Sequence, residues 1–559
     1  MNGAAITVET LIAHGVTDVF GFPGGSVLNL YDELYNRRAQ IRHRLTCHEQ
    51  GAAHAADGYA RATGKVGVAI ATSGPGATNL VTGIATAYLD SSPVVAITGN
   101  VPTGLMGKDS FQEVDITGVT MPVTKHSFLV KDVNNLEKTL CEAFRIAQSG
   151  RPGPVLVDIP KDVQIADGQF SGGQPMPVMP MPAAEQSEIE RVAELINASQ
   201  RPYIYAGGGV VISGAEELLR IFAERLDAPV GLSLMGLTAM PSSHPLYLGM
   251  TGMHGLLESS KMHAEADLII GIGVRFSDRA TGDTKRYGTE AKVIHIDIDD
   301  AEIDKNVFAD ASILGDIKEA LPRLIELVEE RDRSQWRARA HEFREEFMRA
   351  TIGDGNTDGT TDEFCPRKII QTVQSLTDDQ TVVVTDVGQH QMWVAQHYEF
   401  TYPRTLLTSG GLGTMGFGMG GSVGASIAKG NARTLLFTGD GSFHMNMAEF
   451  ATAVRYKLPI IVILLDNAVL GMVRQWQSLF YGERYSQTTC GRPTDYVKLA
   501  EALGGHGFKA TDLETLKQVL GEAYKIDDGP VLIACPINQS AMVFPIIPAG
   551  TSVADVIIG

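Results

Sequence analysis

Gly439-Asp440-Gly441-Ser442, read together with Asp466-Asn467, is the set whose residue types best suit holding a metal ion. Each member follows an apolar run, Arg433–Thr438 or Leu458–Leu465, that reads as a buried strand. The carboxylate and the amide therefore stand at strand carboxyl ends, where open α/β sheets bind ligands. One hard carboxylate, one amide carbonyl and main-chain oxygen suit Mg²⁺ carrying a diphosphate. Gly439 and Gly441 let backbone approach phosphate, and Ser442 is expected to start a helix, read over Met445–Lys457, whose positive end favours anions. A Gly-Asp-Gly alone is more often a tight turn; the pairing of two strand ends carries the reading.

Leu45-Thr-Cys-His-Glu49-Gln-Gly51 places a second carboxylate at a strand end, ahead of the small-residue helix Ala52–Ala62. Taken alone, Glu49 reads as an ordinary charge at a helix N-terminus. Phe20-Gly-Phe-Pro-Gly-Gly25 is another glycine-rich turn after a strand, and Phe111-Gln112-Glu113 lies in a polar loop whose composition discloses no role. Two strand-to-helix turns, Ser73–Asn79 and Ser409–Gly416, look alike and hint that the first and last thirds share a fold.

These groups need sheets to hold them, and the chain supplies three α/β segments. Strands are expected at Asp18–Phe20, Val66–Ala71, Val94–Thr98 and Val155–Asp158; at Tyr203–Ala206, Ala266–Ile272 and Lys292–Ile298; and at Val382–Thr385, Leu406–Thr408, Thr434–Thr438, Leu458–Leu465 and Val531–Cys535. Alternation of apolar strands with helices predicts mainly parallel, doubly wound sheets covered on both faces. The expected units are 1–165, 187–330 and 362–559. They are joined by a Pro- and Gly-rich linker at 166–186, containing Pro175, Pro177, Pro180 and Pro182, and by 331–361, with a helix over Arg331–Arg349 and a loop at Gly353–Gly359. Ser187-Glu188-Ile189-Glu190 reads as a capping box opening the second unit.

The 559 residues are too many for one core, and 44% hydrophobic residues can fill several. A net charge of −19 argues against nucleic acid or an anionic membrane as partner. The five cysteines are scattered and unpaired in sequence, as suits a reducing cytosol without structural zinc; Cys47 is expected in a strand. No apolar run is long enough to span a bilayer and the start lacks signal-peptide features, so a cytoplasmic location is expected.

Glu49 within His48-Glu-Gln-Gly-Ala-Ala-His-Ala-Ala-Asp-Gly-Tyr-Ala-Arg61, taken with Gly-Asp-Gly and Asn467, resembles the thiamine diphosphate (ThDP) enzyme superfamily. More narrowly, the chain resembles the catalytic subunits of acetohydroxyacid synthase, also called acetolactate synthase. The likeness runs through Phe-Gly-Phe-Pro-Gly-Gly25, Ala-Thr-Ser-Gly-Pro-Gly-Ala-Thr-Asn79, Arg151-Pro-Gly-Pro-Val-Leu-Val-Asp-Ile-Pro-Lys161, Gly-Met-His-Gly255, Ser-Gly-Gly-Leu-Gly-Thr-Met415-Gly and Leu-Gly-Met-Val-Arg-Gln-Trp476.

The resemblance implies a pyrimidine-binding domain at 1–165, an FAD-binding domain at 187–330 and a diphosphate- and Mg²⁺-binding domain at 362–559. It implies that Glu49 hydrogen-bonds the cofactor's aminopyrimidine, that Met415 props the cofactor into a bent shape, and that Val387, Gly388, Gln389 and His390 hold the diphosphate. Gly25, Gly439, Gly441, Ser442 and Met472 join the cofactor site. Asp440, Asn467 and the carbonyl of Val469 would ligate Mg²⁺. Arg279 and Trp476 would shape the pocket for a second 2-keto acid, with Gln112, Phe111, Lys161, Met472 and Val473 lining that pocket or its channel.

For FAD the matching residues are Arg151, Gly207, Gly208, Gly209, Ser233 and Leu234, then Met253, His254, Gly273, Arg275, Arg279, Asp297 and Asp316. Ser277 stands where the family has an Asp, Asp466 where it has an Asn, and Asn29 where it has a Pro.

The implied reaction decarboxylates pyruvate on ThDP and passes the hydroxyethyl carbanion to a second pyruvate, giving 2-acetolactate, or to 2-oxobutyrate, giving 2-aceto-2-hydroxybutyrate, at the start of branched-chain amino-acid biosynthesis. It also implies a homodimer or homotetramer, because Glu49 and Asp440 meet across subunits in the family. An FAD-independent catabolic synthase or a pyruvate oxidase shares Glu49 and Asp440 but is expected to lack the Lys161, Arg279, Trp476 combination. A glyoxylate carboligase lacks the catalytic Glu, and a silent scaffold subunit predicts loss of Glu49, Asp440 or Asn467, all present here. Whether a small regulatory subunit binds is not written in the sequence.

Overall fold

The computed structural model describes residues 1–179, 181, 183–352, 363–491 and 493–558. Pro180, Pro182 and the loop expected at Gly353–Gly359 lie outside the described residues. Three six-stranded sheets, every ladder parallel, form one behind another along the chain.

The first sheet holds β1 (Asp18–Phe22), β2 (Arg42–Leu45), β3 (Gly67–Ala71), β4 (Val94–Asn100), β5 (His126–Leu129) and β6 (Val155–Pro160), in the order β2-β1-β3-β4-β6-β5. The second holds β7 (Pro202–Ala206), β8 (Val230–Leu232), β9 (Tyr247–Met250), β10 (Leu268–Ile272), β11 (Lys292–Asp297) and β12 (Ala311–Leu314), ordered β12-β11-β10-β7-β8-β9. The third holds β13 (Val382–Thr385), β14 (Leu406–Leu407), β15 (Thr434–Gly439), β16 (Ile460–Asp466), β17 (His506–Lys509) and β18 (Val531–Pro536), ordered β14-β13-β15-β16-β18-β17.

Renumbered within each sheet, the first and third have the same strand order, so the similar turns at Ser73–Asn79 and Ser409–Gly416 do mark one fold used twice. The middle sheet winds outward from β7 and β10, the arrangement that binds dinucleotides where the winding reverses. Central strands such as β3, β4 and β10 are buried throughout, which is why they read as unbroken apolar runs. Short edge strands such as β5 and β17 carry polar residues and were not expected.

Local readings need correction at three places. The helix after β15 begins at Asp440 itself rather than at Ser442, ends at Asn446, and a second helix runs Glu449–Arg455, so the expected Met445–Lys457 helix is two pieces. Ser187 is not a cap: the helix starts at Gln186 after Glu185, with no side-chain capping bond. Cys47 lies past the end of β2 and is exposed.

The Glu49–Thr63 helix packs against the Phe417–Ala428 helix, joining the first and third sheets. A Cβ on Gly58 would stand 2.3 Å from the Gly421 carbonyl oxygen, and one on Gly424 would stand 1.9 Å from that of Ala55. Only glycine permits that approach. Arg61, buried in the seam, pairs with Asp57 at 2.7 Å and Asp90 at 3.0 Å, and donates to the Thr408 carbonyl at 2.7 Å.

Asp158 on β6 accepts from Thr98 Oγ1 at 2.7 Å and from the Asn100 amide at 2.5 Å, and burial pushes its carboxyl up to about 7. A carboxyl raised above its unfolded value gives stability that is complete at acid pH and is lost as pH rises through the folded value. Asp158→Asn is therefore expected to shrink the fall in melting temperature between about pH 5 and about pH 8. An unchanged slope would remove Asp158 as its source.

Candidate active site

The carboxyl ends of β13, β15 and β16 converge. β15 and β16 run in register with Gly439 beside Leu465, so Asp440 and Asn467 leave one sheet edge. The β13 end turns through Val387 and Gly388 into the Gln389–His397 helix. Ser442 Oγ donates to the Val387 carbonyl at 2.6 Å, tying the two loops. The Asn467 amide donates to Gln389 Oε1 at 3.2 Å while its own Oδ1 accepts from the Val469 N–H at 3.2 Å.

Burial, then the neighbouring Asp466, pushes the Asp440 carboxyl up to about 6. Such a site gains from a cation. Among the described residues, no three His, Cys, Asp or Glu side chains gather to hold a metal. A cation here must therefore be held by one carboxylate, an amide and main-chain oxygen, and completed by the oxygens of an anionic ligand, as suits Mg²⁺ on a diphosphate.

The anion has a cradle. His390 is buried with Nε2 unpartnered among the described residues, and burial lowers the ring to about 3, so it stays neutral. A Cβ on Gly388 would meet the His390 ring at 2.7 Å, and one on Gly471 would stand 1.9 Å from Gln389 Oε1. These residues fit a diphosphate with its metal.

Met415 is positioned by a residue that the motifs did not single out. Asp386, at the end of β13, accepts from the Gly416 N–H at 2.7 Å and the Val387 N–H at 3.1 Å. Gly416 is left-handed, with φ 91°, and its carbonyl accepts from Asn446 at 3.1 Å. An acidic residue directly after the strand Val382–Thr385 was the available signal.

Met415 faces a cavity of about 1320 Å³ that runs from the third sheet to the winding reversal of the second. Val387, Gly388, Met472, Val473, Trp476 and Arg279 border one part of it; Gly208, Gly209, Gly273, Ser233, Leu234 and Asp316 border the other. Arg151, Arg275, Asp297, Met253 and His254 stand along its walls. Its volume exceeds the range of ordinary small-ligand pockets, so more than one ligand fits.

The buried His254 Nδ1 has no partner among the described residues, and burial lifts the Asp297 carboxyl to about 6. Arg151 donates to Glu302 Oε1 at 2.7 Å and to Ser91 Oγ at 2.8 Å. That part of the cavity fits a dinucleotide. Gly207 does not line it: a Cβ there would lie 2.1 Å from the Gly273 carbonyl oxygen, so this glycine serves the close packing of β7 against β10.

Trp476, on the Gly471–Phe480 helix, packs with Met253, Phe544 and Ile546 and meets Phe480 edge-on at 5.4 Å between ring centres. Arg279 reaches Met253 Sδ at 3.0 Å and is otherwise 64% exposed, so most of its donors are available.

Glu49 does not join this cavity within one chain. Nor do Gly25, Phe111, Gln112 and Lys161. Glu49 is the buried first residue of its helix, and the Asn79 amide donates to its Oε2 at 3.0 Å. Gly76, in the same turn, leaves 3.1 Å between a built Cβ and Glu49 Oε1. Gly25 is exposed beside open space, Phe111 is 87% exposed, and Gln112 has φ 60°.

A second unforeseen residue fixes the helix that Glu49 begins. The buried Glu449, from the third domain, accepts from the His48 N–H at 3.0 Å, the Cys47 N–H at 3.2 Å and Thr452 Oγ1 at 2.6 Å. A Cβ on Gly51 would stand 2.1 Å from its Oε1.

Asn79→Ala should remove one hydrogen bond to an acidic group, about 1.5–3 kcal/mol, and so lower the turnover of a reaction that uses Glu49 by about tenfold or more, with melting temperature little changed. Unaltered turnover would make Asn79 dispensable.

Three family models cover most of the chain. They are thiamine pyrophosphate enzyme, N-terminal TPP binding domain, over 1–119; central domain, over 189–324; and C-terminal TPP binding domain, over 386–535. Along its full length the chain is 45% identical to the "Probable acetolactate synthase large subunit" of Methanocaldococcus jannaschii, covering 95% of that protein. It is 44% identical to the "Acetolactate synthase isozyme 2 large subunit" of Escherichia coli, covering 99% of it, again over the whole chain. Over 99% of this chain it is 45% identical to the "Acetolactate synthase" of Mycobacterium bovis, covering 90% of that protein.

Proposed function

The chain belongs to the thiamine diphosphate enzymes, among the acetolactate synthase large subunits, and from that membership we propose how its residues divide the work. Its reaction joins two pyruvates and one proton into 2-acetolactate and carbon dioxide, an entry step of branched-chain amino-acid synthesis. Bound ThDP would supply the electron sink that decarboxylation of a 2-keto acid requires.

The single observation that carries the division of roles is the continuous cavity joining Met415 to Trp476 and Arg279. Val387, Gly388, Gln389 and His390, with Gly439, Gly441 and Ser442, would hold the diphosphate; Asp440, Asn467 and the Val469 carbonyl would hold Mg²⁺. Met415 and Met472 would shape the bound cofactor. Glu49 would exchange a proton with it through Oε1, since Asn79 occupies Oε2.

Arg279 would take the carboxylate of the acceptor and Trp476 would pack on its alkyl group, favouring 2-oxobutyrate over pyruvate. Phe111, Gln112, Lys161 and Gly25 would complete the site from a second copy together with Glu49, making a homodimer the minimal active unit. The residues around the middle-sheet reversal would hold FAD, with Ser277 offering a hydroxyl where a carboxylate contact is lost. The boundaries 1–165, 187–330 and 362–559 would then be pyrimidine-binding, FAD-binding and diphosphate-binding units.

The relatives' names as large subunits support association with a small regulatory subunit. Among the described residues, no helix is long and apolar enough to cross a membrane, and we place the enzyme in the cytoplasm.

The test is product analysis with Mg²⁺, ThDP and pyruvate, with and without FAD, and with 2-oxobutyrate competing. Acetolactate formation that requires FAD and prefers 2-oxobutyrate is expected; FAD-independent acetolactate would move the chain to a catabolic role, and acetyl phosphate would overturn the acceptor site. Trp476→Leu is expected to reduce the preference for 2-oxobutyrate by about tenfold. An unchanged product ratio would exclude Trp476 from acceptor recognition.

A further inference from the structure

A second cavity of about 380 Å³ lies beneath the carboxy-terminal segment, separated from the reacting chamber by a thin wall. Met253, Asp278, Arg279 and Ala280 border both spaces. Gly252, at φ 114°, packs closely on this shared border: a Cβ there would stand 2.6 Å from the Arg279 carbonyl oxygen.

Its roof is tied down: the Ile547 N–H donates to the Met253 carbonyl at 2.8 Å, the Asp283 N–H to that of Thr551 at 3.1 Å, and Arg286 Nη1 to Asp555 Oδ2 at 3.2 Å. Ile547, Pro548 and Val553 supply apolar surface.

The floor is polar and incomplete. Ser260 and His263, one turn apart on the Leu257–Glu265 helix, both line the cavity. Ser260 Oγ and His263 Nε2 are buried without hydrogen-bond partners among the described residues, and the two residues are 2% and 8% exposed. Burial lowers the imidazole to about 4, so at neutral pH the ring is uncharged, and the Tyr287 ring holds it at 4.6 Å.

At the mouth, the Arg279 and Arg286 guanidiniums each have, among the described residues, a single carboxylate neighbour, Asp278 at 3.7 Å and Asp555 at 3.2 Å. Exposed pairs of this kind are weak and exchange readily with a ligand carboxylate. Asp283 and Glu290 also border the space, which disfavours ligands of higher negative charge.

We propose that this cavity binds a small 2-hydroxy monocarboxylate, its carboxylate at Arg286, its hydroxyl between Ser260 and His263, and its alkyl group against Ile547, Pro548 and Val553. 2-Acetolactate, a 2-hydroxy-2-methyl carboxylate, belongs to that class. Identification of the product as the natural occupant rests on the function given above; the binding itself does not.

The probe is 2-hydroxyisobutyrate, which keeps the hydroxyl, methyl and carboxylate of the product but has no oxo group to react. It is titrated calorimetrically into the full chain loaded with Mg²⁺, ThDP and FAD, with isobutyrate and inorganic phosphate as separate arms, and acetolactate turnover is measured on the same samples. Saturable binding is expected, weaker by about tenfold for isobutyrate and in both Ser260→Ala and His263→Phe, whose turnover stays within about twofold of normal. Trp476→Leu should retain it.

Should His263→Phe fail to fold, Ser260→Ala reads the same contact. No heat with any probe would mean a water-filled void, equal binding of phosphate a general anion site, and loss only in Trp476→Leu binding in the reacting chamber; each overturns the proposal. Normal binding in a chain that makes no acetolactate would leave the site standing and remove only its natural occupant.

Discussion

Glu49→Gln is expected to lower acetolactate turnover by about 10²–10⁴-fold while leaving the melting temperature within a few degrees of normal. The substitution keeps size, burial and an oxygen to accept from Asn79, but removes the acidic proton from the buried carboxyl that opens the Glu49–Thr63 helix. Glu449, not Glu49, holds the start of this helix through the Cys47 and His48 N–H groups, so the fold does not depend on the charge at Glu49. Cofactor binding should persist, because the cradle proposed for the diphosphate, around His390 and Asp440, is built from another domain. Turnover within about tenfold of normal would deny Glu49 its proton-transfer role. A comparable loss in Glu449→Gln, accompanied by a lowered melting temperature, would instead reflect a disordered helix start.

Much of this arrangement was legible because its parts coincide with long apolar strands. Gly439-Asp440-Gly441 and Asn467 close adjacent strands that run in register, so their convergence followed from reading two strand ends. The shared winding of the first and third sheets was foreshadowed by two similar glycine-rich turns, Ser73–Asn79 and Ser409–Gly416. The roles of Asn79, Asp386 and Glu449 escaped notice for one physical reason: each acts on a partner in another element, and for Glu449 that partner lies in another domain. Periodicity reports which face of an element is buried, not which distant N–H a buried carboxylate will meet. Gly207 carries a constraint that its motif does not disclose, since a built Cβ there would stand 2.1 Å from the Gly273 carbonyl oxygen. The short edge strands β5 and β17 carry too few apolar residues to stand out from loops.

The separation of Glu49 from the cavity around Met415 leads to the largest effect expected of any mixture. Glu49→Gln and Asp440→Ala should each be nearly inactive alone: one lacks the proposed proton-exchanging group and the other the carboxylate proposed to anchor the metal. If a complete site draws Glu49 from one copy and Asp440 from its partner, a mixed dimer contains one site with both groups intact and one with neither. Random pairing after co-expression makes about half of the dimers mixed, so about a quarter of the sites should work, a rise of at least tenfold over either variant. A site contained in one chain would leave every site in the mixture with one defect and produce no recovery. The same experiment with Trp476→Leu in place of Asp440→Ala separates the acceptor pocket from the metal site: the recovered sites, drawing Glu49 from the Trp476→Leu copy and Trp476 from the Glu49→Gln copy, should regain normal acceptor preference together with turnover. Because the cavity bordered by Met415, Trp476 and Arg279 belongs to one chain, recovery of both properties together is the outcome this geometry requires.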